Sequence, residues 1–245
     1  MRYNIRAYHG GLGDQLQFST FPEYLTKLGH EVYLYDGPDV LPMRNPGIRE
    51  LVWDKNPFIK GISKDNWNFG DLPGVAYRNT QGAFIANWEA ALQLPLSGDL
   101  GLPKIYYEPK VEKLGQLKHC KFGGIIELSS IHHKYDANTL IASVAQLMID
   151  RSDVEWCQIV SPGQSNPILI PAIPQIHVGS IFELADTIAN CKIFVSSLSG
   201  QHSLAASIQR INPHFEQYCL IPKNDYQGVM DSKKFVFPNV EYFPT

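Results

Sequence analysis

Cysteine is scarce in this chain: 4 in 245 residues, at positions 120, 157, 191 and 219, with no paired spacing of the kind a zinc site or redox motif uses. Cys120, Cys157, Cys191 and Cys219 therefore read as free, mostly buried thiols of a reducing compartment. Long hydrophobic runs are absent too. No stretch approaches the roughly 18 apolar residues of a membrane span, and the opening MRYNIRAYHGG has too short an apolar segment before its glycines for a signal peptide. A cytoplasmic protein without a membrane span is expected, with peripheral membrane contact left open. Excess positive charge is also missing, since 21 Lys and Arg face 24 Asp and Glu for a net charge of −3. The basic residues are scattered, so no nucleic-acid partner is expected.

What the chain does have is core material: 44% hydrophobic residues, with 12 Phe, 12 Tyr and 4 Trp. That composition excludes disorder. One large domain or two small ones fit this length equally well.

The pattern along the chain is an alternation of short apolar runs and amphipathic stretches. Residues 3–9 predict a strand, the GGLGD turn ends it, and an amphipathic segment follows over 15–28, with Leu16, Phe21, Leu25 and Leu28 near one face and Pro22 kinking or splitting the helix. HEVYLYDG predicts a second, parallel strand, which completes a βαβ unit. Residues 51–53 are a candidate third strand ahead of the Asn56-Pro57 turn, 65–79 a long loop, and 81–92 a candidate helix. The Gly- and Pro-rich SGDLGLPKIYYEPK marks a change of character, so the domains are placed at 1–103 and 104–245, meeting near Pro103. The alternation then resumes, with strands at 122–128, 155–160, 175–178 and 192–197 and helices at 137–148, 181–189 and 201–209. Asp136 or Asn138 can cap the first of these helices. Residues 218–222 and 235–237 are candidate edge strands. Strands alternating with helices imply parallel sheets, whose ligands bind at the carboxyl ends of the strands.

Three sites can carry chemistry. In His9-Gly10-Gly11-Leu12-Gly13-Asp14, glycines let the backbone turn and approach a ligand, while Asp14 at the mouth of the helix can accept a proton from a hydroxyl. The same residues also serve as a plain strand-to-helix turn with an acidic cap. The second site runs from Ser196 to Ala206. Unpaired N–H groups at its helix start, with the hydroxyls of Ser199 and Ser203, suit a diphosphate; an ordinary serine-capped helix is the alternative. The third is Ser129-Ser130-Ile131-His132-His133-Lys134, where Lys134 either neutralises phosphate charge or is a solvated loop lysine. Adjacent histidines on an extended segment point to opposite faces, so no metal site is expected.

In that order, GGLGD, the GHEVYL strand, LVWDKNPFIKGI, PKIYYEPK, SSIHHK and SIFELADTIANCKIFVSSLSGQHSLAA resemble the family 9 glycosyltransferases, relatives of the ADP-heptose lipopolysaccharide heptosyltransferases. The resemblance spans Tyr3 to about Ile208. It implies an α/β fold of the GT-B type, two Rossmann-like domains facing a cleft, in a compact version. It implies metal-independent, inverting transfer of a hexosyl or heptosyl group from a nucleotide-diphosphate donor to a glycan, lipid-linked or other hydroxyl acceptor, in surface glycan or lipopolysaccharide synthesis, without a cofactor. Carried across residue by residue, Asp14 is the general base, and Gly11, Leu12, Gly13 and Gln15 form the acceptor or cleft loop. Lys134, Ser199, Gly200, Gln201, His202, Ser203 and Leu204 hold the donor. The family's Asp-Ser/Thr-Gly reads Leu198-Ser199-Gly200 here, and its histidine position is Ser203, with His202 one residue earlier. GGLGDQLQF also resembles the GGLGNQ motif of fucosyltransferases, and GGLGD with GHEV the starch and glycogen synthases. Two other functions stay open: a non-catalytic nucleotide or nucleotide-sugar binding protein, motivated by Leu198 and Ser203, and a methyltransferase using the first glycine turn.

Overall fold

The computed structural model describes residues 2–5, 11–37, 46–64, 102–110, 123–129, 135–161, 168–171, 173–212, 214–232 and 235–245. The chain divides into two units, Met1–Glu108 with Asp231–Pro238, and Pro109–Met230 with Asn239–Thr245. The expected division near Pro103 falls in the same described segment as Glu108.

The first unit contains β1 (Arg2–Ile5), α1 (Leu12–Gln17), α2 (Phe21–Lys27), β2 (Glu31–Tyr35), α3 (Pro46–Arg49), a π-helical turn (Glu50–Asp54) and β3 (Ile59–Ser63). Its strands form a parallel sheet in the order β1-β2-β3, with Arg2 opposite Glu31 and Val32 opposite Ile59. Pro22 does split the amphipathic segment: α1 ends, and α2 starts afresh with the proline in its first turn, where a missing N–H costs nothing. Leu16, Phe18, Phe21 and Leu25 are buried, whereas Leu28, expected on the same face, is the C-cap residue and 47% exposed. α2 closes on a Schellman motif, with His30 N–H donating to Leu25 O at 2.9 Å and Gly29 N–H to Thr26 O at 2.9 Å. Gly29 takes the left-handed conformation this requires, φ +82°.

Residues 51–53 are not a strand. Leu51, Val52 and Trp53 are all buried in the π-helical turn, and Trp53 Nε1 donates to Gln15 Oε1 at 2.5 Å. The third strand comes after Asn56-Pro57 instead. A cluster on Glu23 fastens residues 102–108 within this unit: its carboxylate accepts from Lys27 Nζ (2.8 Å), Tyr106 Oη (2.9 Å) and Lys104 Nζ, whose ammonium lies 4.9 Å from the Tyr106 ring centroid.

The second unit contains β4 (Gly124–Glu127), α4 (Ala137–Asp150), β5 (Trp156–Val160), β6 (Gln175–His177), α5 (Ile181–Ala189), β7 (Ile193–Ser197), α6 (Gly200–Ile208), β8 (Glu216–Ile221), α7 (Lys223–Ser232) and β9 (Val240–Pro244). All six strands are parallel, in the order β6-β5-β4-β7-β8-β9. Counted from the first strand of this unit, that is the Rossmann order 3-2-1-4-5-6, whose ligand crevice opens at the carboxyl ends of the first and fourth strands. Here those strands are β4 and β7.

Local signals account for the helix positions. Asp136 caps α4 by accepting from Thr139 N at 2.8 Å, and Ser180 caps α5 by accepting from Glu183 N at 3.1 Å. Leu140 and Val144 of α4 pack on Ile126, Leu128, Ile193, Val195, Tyr218 and Leu220. Gly124 leaves room for the Trp156 indole on the neighbouring strand. Cys157, Cys191 and Cys219 are free and buried, and burial pushes the thiols of Cys191 and Cys219 well above their ordinary pKa. Cys120 lies outside the described residues.

Three further expectations need correction. The strand expected over 218–222 is β8, which is no edge strand because β7 and β9 flank it. Residues 235–237 form no strand; the last strand is β9, reached through Asn239 at φ 59°. The helix α7 was not expected, since none of its residues is buried and an apolar stripe is therefore absent. The expected loop at 65–79 and helix at 81–92 lie outside the described residues. No helix among the described residues is long and apolar enough to cross a membrane.

Candidate functional site

The crevice of the second unit is built from the exits of β4 and β7. β4 ends with Glu127, which stands opposite Ser196 of β7 in the parallel register. Both are wholly buried. Ser129 Oγ donates to Glu127 Oε1, and Ser197 Oγ donates to Ser129 O at 2.6 Å, so the two exits are tied together. β7 then leaves the sheet through Leu198 and Ser199 and enters α6 at Gly200.

The start of α6 is partly exposed at Ser199, Gly200 and Gln201. Ser199 is extended (φ −153°, ψ −179°) in the N-cap position, yet its hydroxyl caps nothing. Ser196 Oγ, Ser199 Oγ and Ser203 Oγ are all inaccessible and have no hydrogen-bond partner among the described residues. Burying a hydroxyl without a partner costs about 1–3 kcal/mol, and these three lie at the end of β7 and on the first turn of α6. The dipole and N–H groups of a helix start favour an anion. No acidic residue lies in the first turn of α6 to satisfy them internally.

Each expected donor residue can now be placed. Ser199 and Gly200 form the turn into α6; Gln201 and Gly200 are partly exposed on its first turn. Ser203 is wholly buried, its hydroxyl without a partner among the described residues. His202 is turned the other way: its imidazole is wholly buried, with Nδ1 2.9 Å from Gln217 Nε2 and Nε2 3.3 Å from Tyr242 Oη. Gln217 Nε2 also donates to His202 O at 2.9 Å, and its Oε1 accepts from Gln209 Nε2 at 3.1 Å. Both ring nitrogens are thus engaged by protein groups. The His202 side chain therefore faces Gln217 and Tyr242. Leu204 is wholly buried and lies past the first turn, where its N–H belongs to the helix ladder. Lys134, with His132 and His133, lies outside the described residues.

In the first unit, Gly11 is the N-cap of α1 and its carbonyl accepts from Gln15 N at 3.0 Å. Asp14 sits half-buried in the first turn, where the helix dipole favours a carboxylate. Gly13 is partly exposed beside it, and Leu12 is buried. Gln15 is wholly buried, and its side chain is the acceptor for Trp53. The side chains of Leu12 and Gln15 thus serve the packing of this unit rather than a loop surface.

Sequence reading overlooked Glu127 and Tyr135. An acid within the apolar run GGIIEL was the available signal, because a carboxylate in such a strand is buried only with partners. Tyr135 Oη donates to Leu220 O at 2.8 Å and accepts from Leu198 N–H at 2.9 Å. Burial pushes this phenol well above its ordinary pKa, outweighing the Leu198 bond. Among the described residues, no group of three or more His, Cys, Asp or Glu is arranged to hold a metal ion.

Known structures resemble the chain in fold. The family 9 glycosyltransferase of Veillonella parvula DSM 2008 superposes with a TM-score of 0.60 at 12% identity, covering 100% of this chain and 84% of that one. The chain has the fold of the family 9 glycosyltransferases. The iron-containing dodecameric glycosyltransferase TibC of enterotoxigenic E. coli H10407 gives 0.57 at 12% identity, covering 98% of this chain and 61% of TibC. E. coli heptosyltransferase WaaC, solved with ADP, gives 0.55 at 10% identity, covering 100% and 93%. No family model matches the chain. No curated protein matches it in sequence.

Proposed function

We propose that the chain is an inverting glycosyltransferase of the GT-B type, which moves a hexosyl or heptosyl group from a nucleotide-diphosphate donor to a hydroxyl acceptor. The observation that carries the reading is the partly exposed start of α6 at the β4–β7 switch point, with three buried hydroxyls that lack partners among the described residues. The likeness in fold to WaaC, solved with ADP, supports a nucleotide diphosphate there. The acceptor is a glycan, a lipid-linked sugar or another hydroxyl compound of surface glycan or lipopolysaccharide synthesis.

In the transfer step the acceptor oxygen attacks the anomeric carbon, the bond from that carbon to the diphosphate oxygen breaks, and the diphosphate leaves with the electron pair. Asp14 takes the acceptor proton. The N–H groups of Gly200, Gln201 and His202 and the hydroxyls of Ser199 and Ser203 stabilise the departing charge, with Lys134 as a further cation. Such preorganised donors commonly supply the largest catalytic contribution. No metal takes part in this step, so transfer is expected to survive EDTA.

Asp14→Asn tests the role of the base. The variant should fold and bind nucleoside diphosphate as the wild type does, while transfer falls by a factor of about 10²–10⁴; unimpaired transfer removes Asp14 from the mechanism. Diphosphate binding without acceptor-dependent release, across a broad panel of sugar donors and acceptors, would mean that the chain is a binding protein.

A further inference from the structure

We infer that Tyr135 is a positioning residue for the diphosphate site, a role that rests on the reading of the α6 start given above. β7 and β8 run side by side up to Ser197 opposite Leu220. One residue later β7 must leave the sheet to reach Ser199 and Gly200. The departure places an N–H, that of Leu198, and a C=O, that of Leu220, at the mouth of the gap. The Tyr135 hydroxyl stands between them, receiving the N–H at 2.9 Å and donating to the C=O at 2.8 Å. A single O–H group thus replaces a direct rung between the strands and holds them apart where α6 begins.

The phenol is itself held firmly. Its ring packs against the cluster formed by Leu140, Val144, Val195 and Leu220. The next residue, Asp136, is locked as the cap of α4 by bonds from Thr139 N and Oγ1. On the other side of the same turn, Ser197 Oγ grips Ser129 O at 2.6 Å. The turn at 198–199 is therefore fixed from the β8 side by Tyr135 and from the β4 side by Ser197. The direction of the N–H groups that follow, at Gly200, Gln201 and His202, is set by these two clips. Preorganised donors bind more tightly because their ordering cost is met before the ligand arrives.

The consequence is specific to phosphate. Without the hydroxyl, the turn can rotate and the amides lose their common aim, but the rest of a nucleotide keeps its contacts. The test compares Tyr135→Phe with the wild type by calorimetry, using whichever of ADP, GDP, UDP and CDP binds the wild type best, together with the matching nucleoside. The diphosphate should lose roughly tenfold in affinity, as for one hydrogen bond, and the nucleoside less than twofold. Ser197→Ala, which releases the opposite clip, should show the same selective loss and keeps the inference testable if Tyr135→Phe fails to fold. Equal losses for diphosphate and nucleoside in the folded variants, or none, overturn the inference while leaving the diphosphate reading intact. A wild type that binds none of the four diphosphates overturns both.

Discussion

Glu23→Gln removes the one carboxylate on which Lys27, Lys104 and Tyr106 converge, and with it the charge that fastens residues 102–108 to α2. Burial on its own would raise the pKa of Glu23, but the hydrogen bonds from Lys104, Lys27 and Tyr106 outweigh it and bring the value from 4.5 down to about 2. Taken in full, that displacement is a ceiling of about 3 kcal/mol. Solvent lowers it, because the Lys27 side chain is 65% exposed and that of Lys104 30%, against 17% for Glu23. A loss of about 1–2 kcal/mol at pH 7 is expected, or a fall in Tm of roughly 3–6 °C at low salt. The sign follows from linkage: a carboxylate whose folded pKa is depressed contributes fully above its unfolded pKa, and the contribution drains away as pH falls towards the folded value. The gap between wild type and variant should therefore be constant above about pH 6 and close between about pH 4.5 and pH 2. Urea unfolding at pH 7 and pH 3 measures it. Equal destabilisation at both values would mean that shape, not charge, made the difference, and a variant as stable as the wild type at pH 7 would refute the account.

Gly124→Ala should destabilise the second unit by about 1–3 kcal/mol in urea unfolding, because a Cβ there meets the indole of Trp156, a buried ring with little room to retreat. Gly29→Ala should cost about 1 kcal/mol in the same assay with no change in ligand binding, since open space surrounds the site and only the left-handed backbone at φ +82° resists the substitution.

The βα rhythm of the second half was legible because its helices carry strong local signals. α5 runs from Ile181 to Ala189 as expected, with Ser180 and Glu183 supplying the cap and Ile181, Leu184, Ala185 and Ile188 the buried face. Elements that rely on tertiary context were not legible. Leu51 to Trp53 is too short an apolar run to separate a strand from a buried helical turn, and the deciding contact, Trp53 to Gln15, spans distant parts of the chain. β9 and α7 lack an apolar pattern because one is a largely exposed edge strand and the other has no buried residue.

The candidate site divides in the same way. The backbone at the start of α6 was readable from Ser199-Gly200 followed by small residues, since strand, turn and helix are local. The direction of the His202 ring was not, because Gln217 and Tyr242 set it from two other strands. Tyr135 gave no signal at all: its role exists only once Leu198 and Leu220 are neighbours.

The two units are not two halves of the chain. Residues 231–238 belong with the first unit although they follow most of the second, and 239–245 then return to the second. Neither module can be excised by a single cut, and a chimera that exchanges one of them must transplant a discontinuous set of segments. Emerging from a ribosome, the earlier module has to wait for its last piece until nearly all of the later one has been made.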